Sequence, residues 1–354
     1  MDSTGQASHR NPLGSRNNPR GLGFAVAMLL GFAAGLSIVF AANISFQQDY
    51  VGQGLVSILP PLFQQGYGQV TEVPPLFSVT ARGTVSVTLL TTTFNPMVSA
   101  IGLNNNNIYL GTVANGSVSW TLIPGASSSK ASLARCGQIV YVAVRGLNDG
   151  IYVGYVNQSS MTFSGWVRIP GATPNSPSIA LDDACQNVWL AVRGYNNRIY
   201  VTIVYPNLTW SGSWQALPGA TDAAPAVTVF NGTLYVAVKG FNSTSIWLWN
   251  GTSWTKLPGA TDVPPSIASN STHILIAVKG LTNQIFYSFL VNGTFNGWTP
   301  LPGATSISPT VAHVSGEWYI IVKGANNPSI YFSKLPVTTW QKLPGATNTS
   351  LGLG

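Results

Sequence analysis

Charged residues are scarce. They make up 7% of the 354 residues, and only nine are acidic, whereas a soluble domain usually devotes about a quarter of its residues to charge. A glycosidase needs two carboxylates flanking one bond, and no such pair stands out. Glu317 is isolated, and Asp222 and Asp262 fall in equivalent turns, as a repeated turn cap would. His273 and His313 have no evident nucleophile partner. Two cysteines and three scattered histidines do not make a metal site. The expectation is a protein that is not an enzyme and holds no metal or cofactor. Basic residues outnumber acidic ones, for a formal charge of +7, but they are spread singly and form no patch, which argues against a nucleic-acid partner. Aromatics are not scarce, and their number argues against a disordered chain.

One long apolar run exists. Residues 22–42 carry no charge and as a helix would rise about 31 Å, matching a hydrocarbon core of about 30 Å. Arg10, Arg16 and Arg20 precede it, with only Asp2 opposing them, so the N-terminus is expected inside and everything after Asn43 outside. The run is longer than a signal-peptide core, which favours a retained anchor. Cleavage at the small residues Val39 and Ala41 is the rival. A third fate is processing after Gly21, since Arg20-Gly21-Leu22 resembles the site of archaeal pilin-type signal peptides. Gly23, Ala27, Gly31 and Gly35 form a stripe of small residues, including a GxxxG match, through which such helices can self-associate. The expected organisation is a basic N-terminal segment (1–20), a membrane helix (21–42), an extracytoplasmic linker (43–75) and a repeat domain (76–354).

The repeats carry the strongest signal. Six tryptophans, Trp120, Trp166, Trp214, Trp254, Trp298 and Trp340, are each followed four residues later by proline in a Pro-Gly-Ala element. The units are roughly 40–50 residues long and read as four short strands, a combination that points to β-propeller blades. In the unit ending at Trp254, strands are expected at 225–230, 234–239, 246–249 and 253–257. Asn231-Gly232 supplies the first hairpin turn, and Pro258-Gly259 ends the last strand. The second strands match closely, as in Tyr141-Val-Ala-Val-Arg-Gly146 and Tyr235-Val-Ala-Val-Lys-Gly240. The fold expected is all-β, a propeller of about six blades. The first unit is degenerate, with Ala100-Ile101-Gly102 in place of the signature. Val79-Thr-Ala-Arg-Gly83 echoes that signature, so a seventh blade is the alternative. How the ring closes is left open.

Cys136 and Cys185 sit between the first and second strands of adjacent units. Outside the cytoplasm a bridge between blades is expected, and two buried free thiols are the alternative. N-glycosylation triplets occur at Asn43, Asn115, Asn157, Asn207, Asn231, Asn242, Asn250, Asn270, Asn292 and Asn348, many of them in expected turns.

Val192-Arg-Gly-Tyr-Asn-Asn-Arg-Ile-Tyr200, the elements Phe163-Ser-Gly-Trp166, Trp210-Ser-Gly-Ser-Trp214 and Phe295-Asn-Gly-Trp298, and the Ser-Pro-Ser-Ile-Ala stretch ending at Ala180 resemble the repeats of bacterial fucose-binding propeller lectins and the wider tectonin-like group. The likeness covers about residues 96–345. It implies a carbohydrate partner held between neighbouring blades by aromatic rings and polar side chains. The candidates are Arg145, Arg193, Lys239, Lys279 and Lys323, with Tyr152, Tyr200, Trp247, Phe286 and Tyr331. The structural alternative has the basic residues bonding turn carbonyls between blades and the aromatics packing as core. The family's histidine-bearing third strand is missing, so fucose is not specified, and the Asp-box pattern of propeller sialidases is absent too. The expected function is glycan recognition by a surface-anchored propeller. The alternative is a structural subunit of a surface filament or envelope layer, assembled through the apolar helix.

Overall fold

The computed structural model describes residues 93–354 except Asn292, together with two strands, Ala41–Ser45 and Thr84–Thr88. These two pair antiparallel in a sheet of their own, Ala41 opposite Thr88 and Ser45 opposite Thr84. Ala41 and Ala42, the last residues of the expected membrane helix, are therefore strand, because their backbone groups are committed to this ladder. The rest of that helix, including Gly23, Ala27, Gly31 and Gly35, lies outside the described residues. So does the Val79 to Gly83 echo. Among the described residues no helix is long and apolar enough to cross a membrane.

Residues 93–354 form six blades of antiparallel strands. The third blade is representative, with Ser178–Leu181 innermost, then Val188–Arg193, Arg198–Val204 and Gln215–Ala220 at the rim. Strand direction alternates, so turns gather at two ends. One end, the hairpin face, holds the first-to-second and third-to-fourth turns. The other, the crossover face, holds the second-to-third turns and the connections between blades.

The second strands show why apolar residues follow one another without alternation. In Thr233–Lys239, Val236 and Val238 pack against the third blade while Ala237 packs against the fifth. Successive side chains point to opposite sides of a strand, and both sides of a blade are buried.

The fourth strands run further than expected. Trp254–Ala260 continues through Pro258-Gly259, with Leu257 opposite Ile246 and Ala260 opposite Ser245 across a bulge. Proline is tolerated there because the strand is outermost and no neighbour needs its N–H. The bulge turns the proline carbonyl toward the next blade. Trp298 Nε1 donates to the Pro258 carbonyl at 2.7 Å, and the same bond repeats around the ring. Trp166 donates to Pro124, Trp214 to Pro170, Trp254 to Pro218, Trp340 to Pro302 and Trp120 to Pro344, at 2.5–2.8 Å. The following glycine lies under the indole with positive φ, +88° at Gly259. A Cβ there would come within 3.0 Å of Trp298 Nε1.

Closure couples the two ends of the propeller sequence. The innermost strand of the first blade is Gly352–Leu353, paired with Met97–Ile101, and Asn107–Ala114 and Ser117–Ala126 complete that blade. The strand missing from the degenerate first unit is thus supplied from beyond the sixth, and the ring has six blades. Met97 and Gly354 exchange backbone hydrogen bonds at 2.7 and 2.9 Å. Leu351 and Leu353 are 1% and 3% exposed. Gly352 is sterically required, since a Cβ would sit 2.1 Å from the Ala131 carbonyl oxygen.

Two further ties brace the hairpin face. The Arg135 guanidinium bonds the carbonyls of Asn95, Gly137 and Gly354 and the Gln158 side chain, and lies 5.4 Å from the Phe94 ring centre. Burial lowers its pKa to about 10. Cys136 and Cys185 form a disulfide between the second and third blades, with Cα atoms 5.9 Å apart.

Candidate functional site

The repeated basic residues end the second strands, where the chain turns back on the crossover face. Each reaches sideways over a connection between blades. Arg145 donates to the Pro174 carbonyl at 2.7 Å and pairs with Asp149 at 3.3 Å. Arg193 bonds Asn175 Oδ1 at 2.7 Å, the Asp222 carbonyl at 3.2 Å and Asn197 Oδ1. Lys239 pairs with Asp222 at 2.5 Å and Lys279 with Asp262 at 2.7 Å. Lys323 bonds Ser306 Oγ at 2.8 Å and the Gly324 carbonyl at 3.0 Å. In the first blade the equivalent Ile101 is simply buried. Asp222 and Asp262 are therefore more than turn caps, since each neutralises a lysine of the following blade. Burial works to raise the pKa of Asp222, but its bond and ion pair with Lys239, together with backbone N–H bonds from its own amide and that of Asn242, outweigh this and hold it below the ordinary carboxylate value.

The repeated aromatics stand third in the third strands. Tyr152, Tyr200, Trp247 and Phe286 are half-buried over the glycine that follows the basic residue. A Cβ on Gly146 or Gly194 would meet the tyrosine ring at 2.7 Å, one on Gly240 would meet Trp247 at 3.1 Å, and one on Gly280 would meet Phe286 at 2.8 Å. Tyr152 and Tyr200 accept hydrogen bonds from Asn148 and Asn196 side chains at 3.1 and 2.9 Å. Tyr331 packs at the interface of the fifth and sixth blades. Both sets of repeated candidates thus converge on the crossover face and are engaged with partners inside the ring.

The sequence reading missed the residues next to them. Leu103, Leu147, Tyr195, Phe241 and Leu281 each follow the repeated glycine and are 36–61% exposed. They account for five of the eight large apolar side chains exposed among the described residues, so exposed apolar side chains gather on the crossover face. Ala325 holds the sixth position. The signal was present as an apolar residue recurring on a turn, where no core requires it. Tyr195 is the most exposed of the five and donates its hydroxyl to Asp149 of the preceding blade. That bond, with the nearby carboxylate charge, raises its pKa. The arrangement is a ring of apolar knobs set among asparagine amides and charged pairs. It suits a ligand with apolar faces and many hydroxyls.

One other feature lies away from this face. An open depression of about 490 Å³ is lined by residues such as Lys334, Pro336 and Gln341 around the third-to-fourth turn of the sixth blade. No group of three or more His, Cys, Asp or Glu placed to hold a metal occurs among the described residues.

The chain matches no known protein family and no characterised protein by sequence. Solved structures do resemble it. One is the fucose-specific lectin from Aleuria aurantia, at 14% identity and TM-score 0.51, covering 72% of this chain and 91% of the lectin. A chain of the nidogen/laminin complex aligns at 14% identity and TM-score 0.52, covering 73% of this chain and 98% of that one. TolB from Acinetobacter baumannii aligns at 9% identity and TM-score 0.54, covering 74% and 67%. Proteins this different in name share the architecture and little sequence, so the likeness establishes a β-propeller fold.

Proposed function

We propose that the propeller is a carbohydrate-binding module that takes its ligand on the crossover face, without chemistry, and that the apolar N-terminal segment holds it at the outer side of a membrane. One observation carries this reading: an exposed apolar or aromatic side chain stands at the same turn position in five of the six blades, beside asparagine amides and charged pairs. Stacking against the C–H face of a sugar uses such a side chain, and the hydroxyls need the paired donors and acceptors. The basic residues and third-strand aromatics hold the turns in place, and the knobs make the contact. The repeat resemblance to propeller lectins supports the ligand class. The disulfide supports an oxidising compartment.

The test is a glycan array probed with the detergent-solubilised full chain. Saturable binding that falls at least tenfold in Tyr195→Ala or Phe241→Ala, both exposed positions, is the expected result. No binding by folded protein, or binding indifferent to both substitutions, would overturn it and favour assembly through the apolar segment.

A further inference from the structure

The glycosylation triplets are not distributed evenly over the ring. Asn115, Asn157, Asn207, Asn231, Asn250 and Asn270 all lie on the hairpin face, in its tight turns or at strand ends leading into them. Asn242 and Asn348 lie on the crossover face. Asn43 lies in the separate strand pair, and Asn292 is outside the described residues.

Side-chain geometry leaves the amide nitrogen of the six hairpin-face asparagines unbonded. Asn250 Oδ1 accepts from the backbone N–H groups of Thr252 and Ser253 at 3.1 and 2.9 Å, and from the Thr252 hydroxyl at 2.9 Å. Asn270 Oδ1 accepts likewise from Thr272 and His273 backbone N–H at 2.9 and 2.7 Å and from the Thr272 hydroxyl at 3.1 Å. Asn157 and Asn207 Oδ1 accept from Ser159 and Thr209 N–H at 3.0 Å each. Asn115 and Asn231 are exposed at the first central position of Asn-Gly turns, with φ of 46° and 48°. In all six, Nδ2 makes no hydrogen bond among the described residues. Three turn asparagines outside any triplet behave differently. Asn105, Asn148 and Asn196 spend Nδ2 on the hydroxyls of Tyr109, Tyr152 and Tyr200. Thus Nδ2 is unbonded at the six triplet asparagines of the hairpin face, as it is at Asn242 and Asn348, whereas the crossover-face turns spend it at Asn105, Asn148 and Asn196.

We infer that the protein is N-glycosylated on one side. Oligosaccharide is carried at these six asparagines of the hairpin face, and the crossover face stays largely uncoated. The donor is a lipid diphosphate-linked oligosaccharide. Asparagine Nδ2 attacks the anomeric carbon, the N–C bond forms, and the anomeric C–O bond breaks. The electron pair leaves with the diphosphate, and the Nδ2 proton passes to a base of the transferase. The coat shields the face that carries the disulfide and the Arg135 tie, and leaves the apolar ring of Leu103, Leu147, Tyr195, Phe241 and Leu281 accessible. This inference does not depend on the ligand reading.

Intact-glycopeptide mass spectrometry of the full chain purified from its native host tests it. Peptides containing the six hairpin-face asparagines are expected to carry a glycan mass, at occupancies several-fold above those of Asn242 and Asn348, with none at Asn105, Asn148 or Asn196. Unmodified peptides at the six sites would overturn the inference. So would equal occupancy at Asn242 and Asn348. Thr252→Ala keeps Asn250 and its backbone turn but removes the triplet. The glycan mass at Asn250 must then vanish, and its persistence would assign the modification to other chemistry.

Discussion

Removing residues 351–354 opens the ring at the one place where it is held without chain continuity. The loss is calculable from the structure. Leu351 and Leu353 are almost wholly buried, and fully burying such a side chain contributes about 2–3 kcal/mol. Met97 and Gly354 exchange two backbone hydrogen bonds, each with a net value of about 1 kcal/mol. The truncation therefore costs about 6–8 kcal/mol, which lies within the whole stability of a typical domain, about 5–15 kcal/mol. Guanidinium denaturation under non-reducing conditions, followed by tryptophan fluorescence, reads the change. The truncated chain is expected either to lose its cooperative transition or to shift its midpoint far down. Leu353→Ala gives the graded version, with an expected loss of about 2–5 kcal/mol. A truncated protein with an unchanged midpoint, or a Leu353→Ala cost within about 0.5 kcal/mol, would refute the closure argument.

Three other outcomes follow from the geometry. Trp254→Phe removes the indole donor to Pro218 but keeps most of the ring, so a loss of about 1 kcal/mol is expected; Gly219→Ala, at φ +91°, is expected to cost about as much through backbone strain, by the same denaturation assay. Replacing Cys136 and Cys185 together by serine frees a loop of sequence separation 49 and should cost about 4 kcal/mol on the chain-entropy model, with the midpoint becoming insensitive to reductant. His313 packs on Trp318, ring centres 4.8 Å apart, and burial lowers its pKa below the ordinary histidine value. The unfolded state then binds the proton more readily, so its contribution is full above about pH 6.5 and is lost as pH falls through the folded value. Melting temperature should drop between pH 7 and 5, and His313→Gln should flatten that slope; an equal slope in both proteins would remove His313 as the cause.

Much of this architecture is legible locally. Strand lengths, the Asn-Gly turns and the Trp-to-Pro spacing depend on residues a few positions apart, and their recurrence makes blade identity readable without knowing any contact. The adjacency of Cys136 and Cys185 was readable for the same reason, since equivalent positions in successive repeats must be neighbours in a ring. The Arg/Lys positions were visible as a pattern, but their partners were not. Asp222 and Asp262 reach Lys239 and Lys279 of the next blade only because the connection between blades folds back over the second-strand end. The recurrence of an apolar residue after the repeated glycine was visible, but the exposure of Tyr195 and Phe241 was not, because the sequence does not show the turn standing clear of the core.

The sequence alone, then, determined the repeat, its strand order, its turn chemistry and the all-β class, because these follow from side-chain periodicity and short-range backbone preference. Tertiary structure decided the closure and the site. A strand of two residues, Gly352–Leu353, carries no periodicity, and its partners at Val98 and Ser99 lie some 250 positions earlier. The indole-to-proline bonds likewise join each repeat to the one before it, around a circle that linear order does not display. Contacts of that kind depend on the geometry of the closed ring, in which the cost of bringing distant segments together is met only when all six blades are in place.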